Sequence, residues 1–495
     1  MMSKQANTSQ ARQMVSHAGI YAIGNILRNL TGFLMLPIYT RYLTPADYGV
    51  VGLMIFAISL LELVFGARLY WSIPKFYADT KDSNIKAKIV STAMIITATL
   101  SLLTVFLMVT FRESLSLGLY GSPEFSTLVG FFSVLLLTQS LEQYALIYIR
   151  LQKRPWFYIS INIVKLIIQL SFNIWFVVFQ EMGAMGVAVS AMLASSSFAL
   201  LLVIYTVRNV GVGFSNEIGI KLVRFCWPLW LSGFAGLYIG SANRYYLRIF
   251  SSLDDVGLFE LAVKFSTIIT YLVWEPFATY WQVERFNIYH REDAVKIFQN
   301  VFYLISTVII VVALGVSIFS ETVIYLMASE AFYASAKAVP FQALASVFYS
   351  LILFLNFSFL IKEKTGWMSR NNYLTAFVIT IFYLFFIPLY GFVGASISMM
   401  LGFGVQFLIV YSASRRFYDM HLSLRPLFYM ITVSIIFFLF DQIIIVNESF
   451  FLRLFYKVAV YTLACVLIVI PLLRREDFSN YFKKYFQRFS IPFKH

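Results

Sequence analysis

Gly183-Ala-Met-Gly186-Val-Ala-Val-Ser190-Ala-Met192-Leu193 and Gly391-Phe-Val-Gly394-Ala-Ser-Ile-Ser398-Met-Met400-Leu401 share the pattern GxxGxxxSxML at an offset of 208 residues. The same offset relates Asp47-Tyr-Gly49 to Asp255-Val-Gly257, and Lys88-Ile89 to Lys296-Ile297. At an offset of 210, Tyr70-Trp71-x-x-x-Lys75-Phe76 matches Tyr280-Trp281-x-x-x-Arg285-Phe286. Any one of these matches could arise by chance. Several at nearly one offset, each at the corresponding end of an apolar segment, mark an internal duplication.

The chain around these repeats has 495 residues, 60% hydrophobic and 13% charged, with a mean hydropathy of +0.77. Soluble domains run at about 45–50% apolar and about 25% charged, so the composition is that of a membrane protein. Apolar segments lie at 18–36, 48–67, 89–111, 126–148, 157–179, 186–207 and 227–248, and then at 257–280, 299–319, 339–361, 372–390, 393–411, 427–446 and 454–471. These are spans 1 to 14, each of a length that suits a hydrocarbon core about 30 Å thick. The repeat unit is therefore six spans, and spans 1–6 and 7–12 share one orientation. Such a parallel repeat has its symmetry axis along the membrane normal, with the ligand expected between the halves. The expected organisation is an all-α integral membrane protein with a six-helix bundle at 1–210, a second at 211–418, and an appendage of spans 13–14 with a basic tail at 419–495.

The net charge of +14 belongs to the connectors. With the N-terminus placed in the cytoplasm, cytoplasmic segments hold 28 Lys and Arg and the opposite loops hold 5. That asymmetry is positive-inside bias; it puts both termini in the cytoplasm and leaves no reason to invoke nucleic acid. The polar opening runs straight into an apolar segment of spanning length, so no cleavable signal peptide is expected. Cys226 and Cys465 sit far apart in apolar runs, and the four histidines show no metal-ligand spacing; no disulfide framework, metal or cofactor is expected. Asp254-Asp255 reads as a turn and helix cap rather than a catalytic acidic pair. No Walker A motif is present.

Polar residues inside the spans carry the functional expectation, because ionisable groups in hydrocarbon are costly and face an interior or a wet cavity. Span 1 has Tyr21, Asn25, Arg28 and Gly32; span 5 has Asn162, Lys165, Gln169 and Asn173; span 8 has Glu260, Lys264, Thr267, Tyr271 and Glu275. Steps of three and four place each set on one helical face. Glu62 in span 2 and Glu142 in span 4 add acids in the cytoplasmic third. Glu260 and Lys264 are spaced as a neutralising i,i+4 pair, whereas no opposite charge lies three or four residues from Arg28 or Lys165. Arg244, Lys457 and Asp441 lie near span ends, within reach of the interface by snorkelling.

The segment from Asn25-Ile-Leu-Arg28 through Gly32, Pro37, Arg41 and Leu43 to Asp47-Tyr-Gly49 resembles the opening of bacterial polysaccharide-unit transporters, the O-antigen (Wzx-type) flippases. Arg150-Leu-Gln-Lys-Arg-Pro155, Pro228, Asn243-Arg244 followed by Asp255-Val-Gly257, and Glu275-Pro276 extend the resemblance over essentially the whole chain. Asn243 is a departure, since many relatives place an acid before this arginine, which weakens an ion-pair role carried over to the position. The family belongs to a superfamily with drug/cation antiporters and peptidoglycan-precursor flippases. The resemblance implies two six-helix bundles around a V-shaped cavity, in the bacterial inner membrane. It also implies a substrate, undecaprenyl-diphosphate-linked oligosaccharide, and partners in the polysaccharide polymerase and chain-length regulator.

Moving sugars and phosphates through hydrocarbon unaided strips their water hydrogen bonds, and cations in a lumen would hold the diphosphate. Arg28, Lys165, Arg244 and Lys264 are the expected diphosphate contacts, with Asn25, Asn162 and Gln169 toward sugar. Glu62, Glu142 and Glu275 are the candidate couplers to an ion gradient. Two rival readings are a multidrug/cation antiporter of the same superfamily and a polysaccharide polymerase or ligase. The deepest charges are basic, against the first, and no large extracytoplasmic loop exists, against the second.

Overall fold

The computed structural model describes residue 33 and residues 35–65, 68–443 and 450–473. Among these residues the regular structure is entirely helical. Eleven helices are long and apolar enough to cross a bilayer, and a twelfth span is the pair Asn216–Leu231 and Gly233–Ser241, bent by 42°. Pro228 precedes that bend, where a proline removes one i→i−4 bond and crowds the preceding turn. Gly366–Phe417 runs for 52 residues and holds spans 11 and 12, separated at Gly391 by a left-handed φ of 54°. Spans 2 to 14 thus all find helices, and span 1 lies almost wholly outside the described residues.

Helix starts follow the sequence. Thr44 and Asp47 form a capping box with Pro45 in the first turn; Asp82 and Ser215 cap the helices opening spans 3 and 7. Wide π-turns at Ile174–Phe179 and Thr270–Trp274 interrupt spans 5 and 8, a device frequent at functional positions. Span 2 stops at Val64, and the chain re-enters helix at Ile73 after passing Arg68 in a left-handed conformation, φ 36°.

The duplication is written in the backbone. Lys153 after span 4 and Glu363 after span 10 have φ of 55° and 53°. Gly183 and Gly391 have 56° and 54°, and Gly211 and His421 after spans 6 and 12 have 75° and 48°. Each pair is separated by the repeat offset, 208 or 210. Left-handed φ is costly for residues with a Cβ, so its recurrence at Lys153 and Glu363 reflects a turn geometry kept in both copies.

The described chain forms two compact units. The first holds the residues up to Glu260 together with Met327–Phe332 and Tyr383–Ala395; the second holds Leu261–Leu326, Tyr333–Phe382 and the residues from Ser396 on. In the first unit, span 4 packs between spans 3 and 6, with Phe132, Tyr144 and Phe259 fully buried. In the second, a ring cluster of Trp281, Phe298, Phe302, Phe354 and Phe357 forms the centre. Trp156, Phe179, Phe451 and Phe455 stand exposed, as side chains meant for lipid do.

Candidate functional site

The repeated motif builds the same device twice inside the first unit. Asp47 accepts from the Ala184 backbone N–H at 3.4 Å, just after left-handed Gly183. Asp255, 208 residues on, accepts from the Phe392 N–H at 3.2 Å, just after left-handed Gly391. Each aspartate's own N–H donates to a hydroxyl three residues back, Thr44 or Ser252, at 3.1 Å. A carboxylate at a helix N-terminus satisfies free N–H groups and complements the dipole. The two copies also meet: a Cβ on Gly49 would collide with the Leu253 carbonyl, and one on Gly257 with the Pro45 carbonyl. Glycine at both positions lets the first turns of spans 2 and 8 touch backbone to backbone. On the positive-inside reading this is the extracytoplasmic end.

Deeper in the first unit the ionisable residues are paired across helices. Lys165 of span 5 donates to both Glu142 oxygens of span 4, at 2.7 and 2.6 Å. Glu142 is 5% exposed. Lys165 has its partner on a neighbouring helix, where spacing along its own helix showed none. Arg244 pairs with Glu260 and also donates to the Gly240 carbonyl at 3.0 Å and to Asn243 Oδ1 at 3.3 Å. The carboxylate that faces this arginine comes from span 8, not from the residue before it. Gly52 makes room for it, because a Cβ there would lie 2.7 Å from Glu260 Cγ. Glu62 and Arg68 stand 3.8 Å apart across the break in span 2, with the Arg68 guanidinium over the Trp71 ring. A buried ion pair is held mainly by the cost of breaking it, about 3–5 kcal/mol when one partner is removed.

The remaining candidates are dispersed. Asn162 donates to the Tyr158 carbonyl at 2.7 Å, which ties it to its own helix, and Gln169 is half-buried on the same face. Lys264 is half-buried and Glu275 exposed, both in the second unit. Asn25 and Arg28 lie outside the described residues. The end-of-span reading of Lys457 and Asp441 is corrected: both are buried. Lys457 donates to the Ile318 carbonyl at 3.0 Å and to Glu321 at 3.1 Å, with Asp441 at 3.6 Å. Interhelical charge completion, not snorkelling, holds spans 9, 13 and 14 there.

The family model described as polysaccharide biosynthesis protein matches residues 14–280. The chain belongs to this family. Comparison with curated protein sequences finds no significant match. Among solved structures, the fold is similar to "Lipid II flippase MurJ, inward closed conformation", with a TM-score of 0.71 at 13% identity, covering 93% of this chain and 100% of that one. A multidrug resistance MATE family transporter of the MOP superfamily, inward-facing, gives 0.62 at 16% identity over 78% of this chain and 94% of its own. A MOP superfamily transporter from Pyrococcus furiosus, described as having a binding pocket of reverse polarity, gives 0.53 at 16% over 83% and 96%. At these identities the likeness is one of fold, and this polysaccharide biosynthesis family member has the fold of flippases and drug transporters.

Proposed function

We propose that the chain is a flippase that carries undecaprenyl-diphosphate-linked oligosaccharide units from the cytoplasmic to the outer face of the bacterial inner membrane. The units feed a surface polysaccharide such as O-antigen or capsule. Transport is by alternating access, driven by an ion gradient, and the two repeated bundles, 1–210 and 211–418, are the moving halves. The observation that carries this reading is the family match over residues 14–280, the stretch that holds Arg28, Glu142, Lys165, Arg244 and Lys264. Arg28 and Lys165 hold the diphosphate, and Glu142, seated on Lys165, senses the coupling ion.

In this scheme the Lys165–Glu142 pair is a switch. Diphosphate competes with the carboxylate for the ammonium, and protonation or cation binding at Glu142 releases the lysine to the substrate. Arg28→Ala or Lys165→Ala therefore abolishes surface polysaccharide, and the Glu142→Leu/Lys165→Met pair, which strands no charge, does so with protein abundance in the membrane near normal. Normal export from the double variant would end the diphosphate assignment. The MATE-like fold supports a second reading, a drug/cation antiporter. That reading predicts altered drug resistance on deletion with polysaccharide intact, the reverse of the flippase outcome.

A further inference from the structure

We infer that Arg285 is an anion-binding residue, placed to hold a phosphate group at the Lys/Arg-rich end of span 8. The identity of the natural anion rests on the flippase reading; the anion site itself does not. Arg285 lies on the inward face of its helix with Ala278, Trp281 and Ile288, and is 9% exposed. The other buried cations, Arg244 and Lys457, each have a carboxylate. Among the described residues Arg285 has none: its guanidinium sits 5.1 Å from the Phe357 ring and 5.5 Å from the Phe286 ring, and its Nε is buried with no hydrogen-bond partner.

Aromatic faces stabilise a guanidinium only above and below its plane. The in-plane N–H groups still call for oxygen acceptors, which a phosphate presents as a fork. The repeat offers a partial parallel at an exposed position. Lys75, 210 residues earlier, is also backed by rings, with Nζ 4.5 Å from Phe225 and 5.6 Å from Phe76. Both copies thus keep a cation against aromatic rings at this position, and only Arg285 is buried there.

The test uses the full chain in nanodiscs, with undecaprenyl diphosphate, inorganic pyrophosphate and undecaprenol as probes. Arg285→Gln removes the charge; Arg285→Met does so while refilling the aromatic box with a side chain that rings accept, which protects folding. Monodispersity and thermal stability are measured alongside. We expect Arg285→Met to bind undecaprenyl diphosphate at least tenfold more weakly, with undecaprenol unchanged. Loss for both phosphorylated probes identifies a site for the anion alone; loss for the lipid only identifies the headgroup as the ligand. Arg285-dependent binding of pyrophosphate without binding of undecaprenyl diphosphate keeps this assignment and removes the lipid reading. Unchanged affinity for both phosphorylated probes in the variant, or no binding of either by the wild type, overturns it.

Discussion

Lys165 and Glu142 meet at 2.6 Å from helices whose sequence positions differ by 23 residues. Periodicity reads one helix at a time, so it found both side chains and placed them in an interior but gave no sign that they face each other. The same holds for Arg244 with Glu260 and for Lys457 with Glu321, 136 residues apart. What was legible at this scale is which residues leave the lipid face; what was not is which helix completes each charge, since that depends on packing between spans. The pair predicts a strong thermodynamic coupling. Glu142→Leu or Lys165→Met alone strands a charge at about 3–5 kcal/mol, seen as a lowered unfolding temperature in detergent. The double variant, apolar on both sides, recovers most of that stability yet does not export polysaccharide. Equal, additive losses in the double variant would show that the two groups do not depend on each other.

Helices and their ends were read more fully. Apolar segments of spanning length placed spans 2 to 14, because hydropathy and length are read locally. The GxxGxxxSxML repeat marked both left-handed glycines, and Asp47 and Asp255 were visible as matched residues although their contacts with Gly183 and Gly391 were not. The breaks were missed: Thr270–Trp274 and the Arg68 turn have only a nearby proline as local signature, and the π-turn at Ile174–Phe179 has none. Backbone contact between the first turns of spans 2 and 8 has a direct consequence. Gly49→Ala or Gly257→Ala pushes a methyl into a carbonyl, an overpacking worth about 1–3 kcal/mol. Either substitution should reduce export at least tenfold with the protein still inserted, and the double substitution should be no worse than additive. Normal export from Gly49→Ala would mean that this contact is dispensable to the transport cycle.

For the whole molecule, the 28-to-5 distribution of Lys and Arg predicts the sidedness. In a cysteine-free background, Asp82→Cys and Glu363→Cys should resist an impermeant maleimide applied to the periplasm, while Glu124→Cys and Glu330→Cys should react. Periplasmic labelling at position 82 or 363 would invert the topology. Fold and family were legible in composition and in the duplicated motifs, because both are properties of the entire chain. Substrate recognition was less so, since the cations that would hold a diphosphate come from spans far apart in sequence and, in the conformation described, Lys165 and Arg244 already hold carboxylates.

The most direct measurement follows the sidedness of undecaprenyl-diphosphate-linked oligosaccharide in cells depleted of this chain, using a periplasmic glycosidase or lectin as the reporter. The lipid-linked units should accumulate out of the reporter's reach and become accessible again when the wild-type chain, but not Arg28→Ala/Lys165→Ala, is restored. Full periplasmic accessibility in depleted cells would contradict the flippase reading.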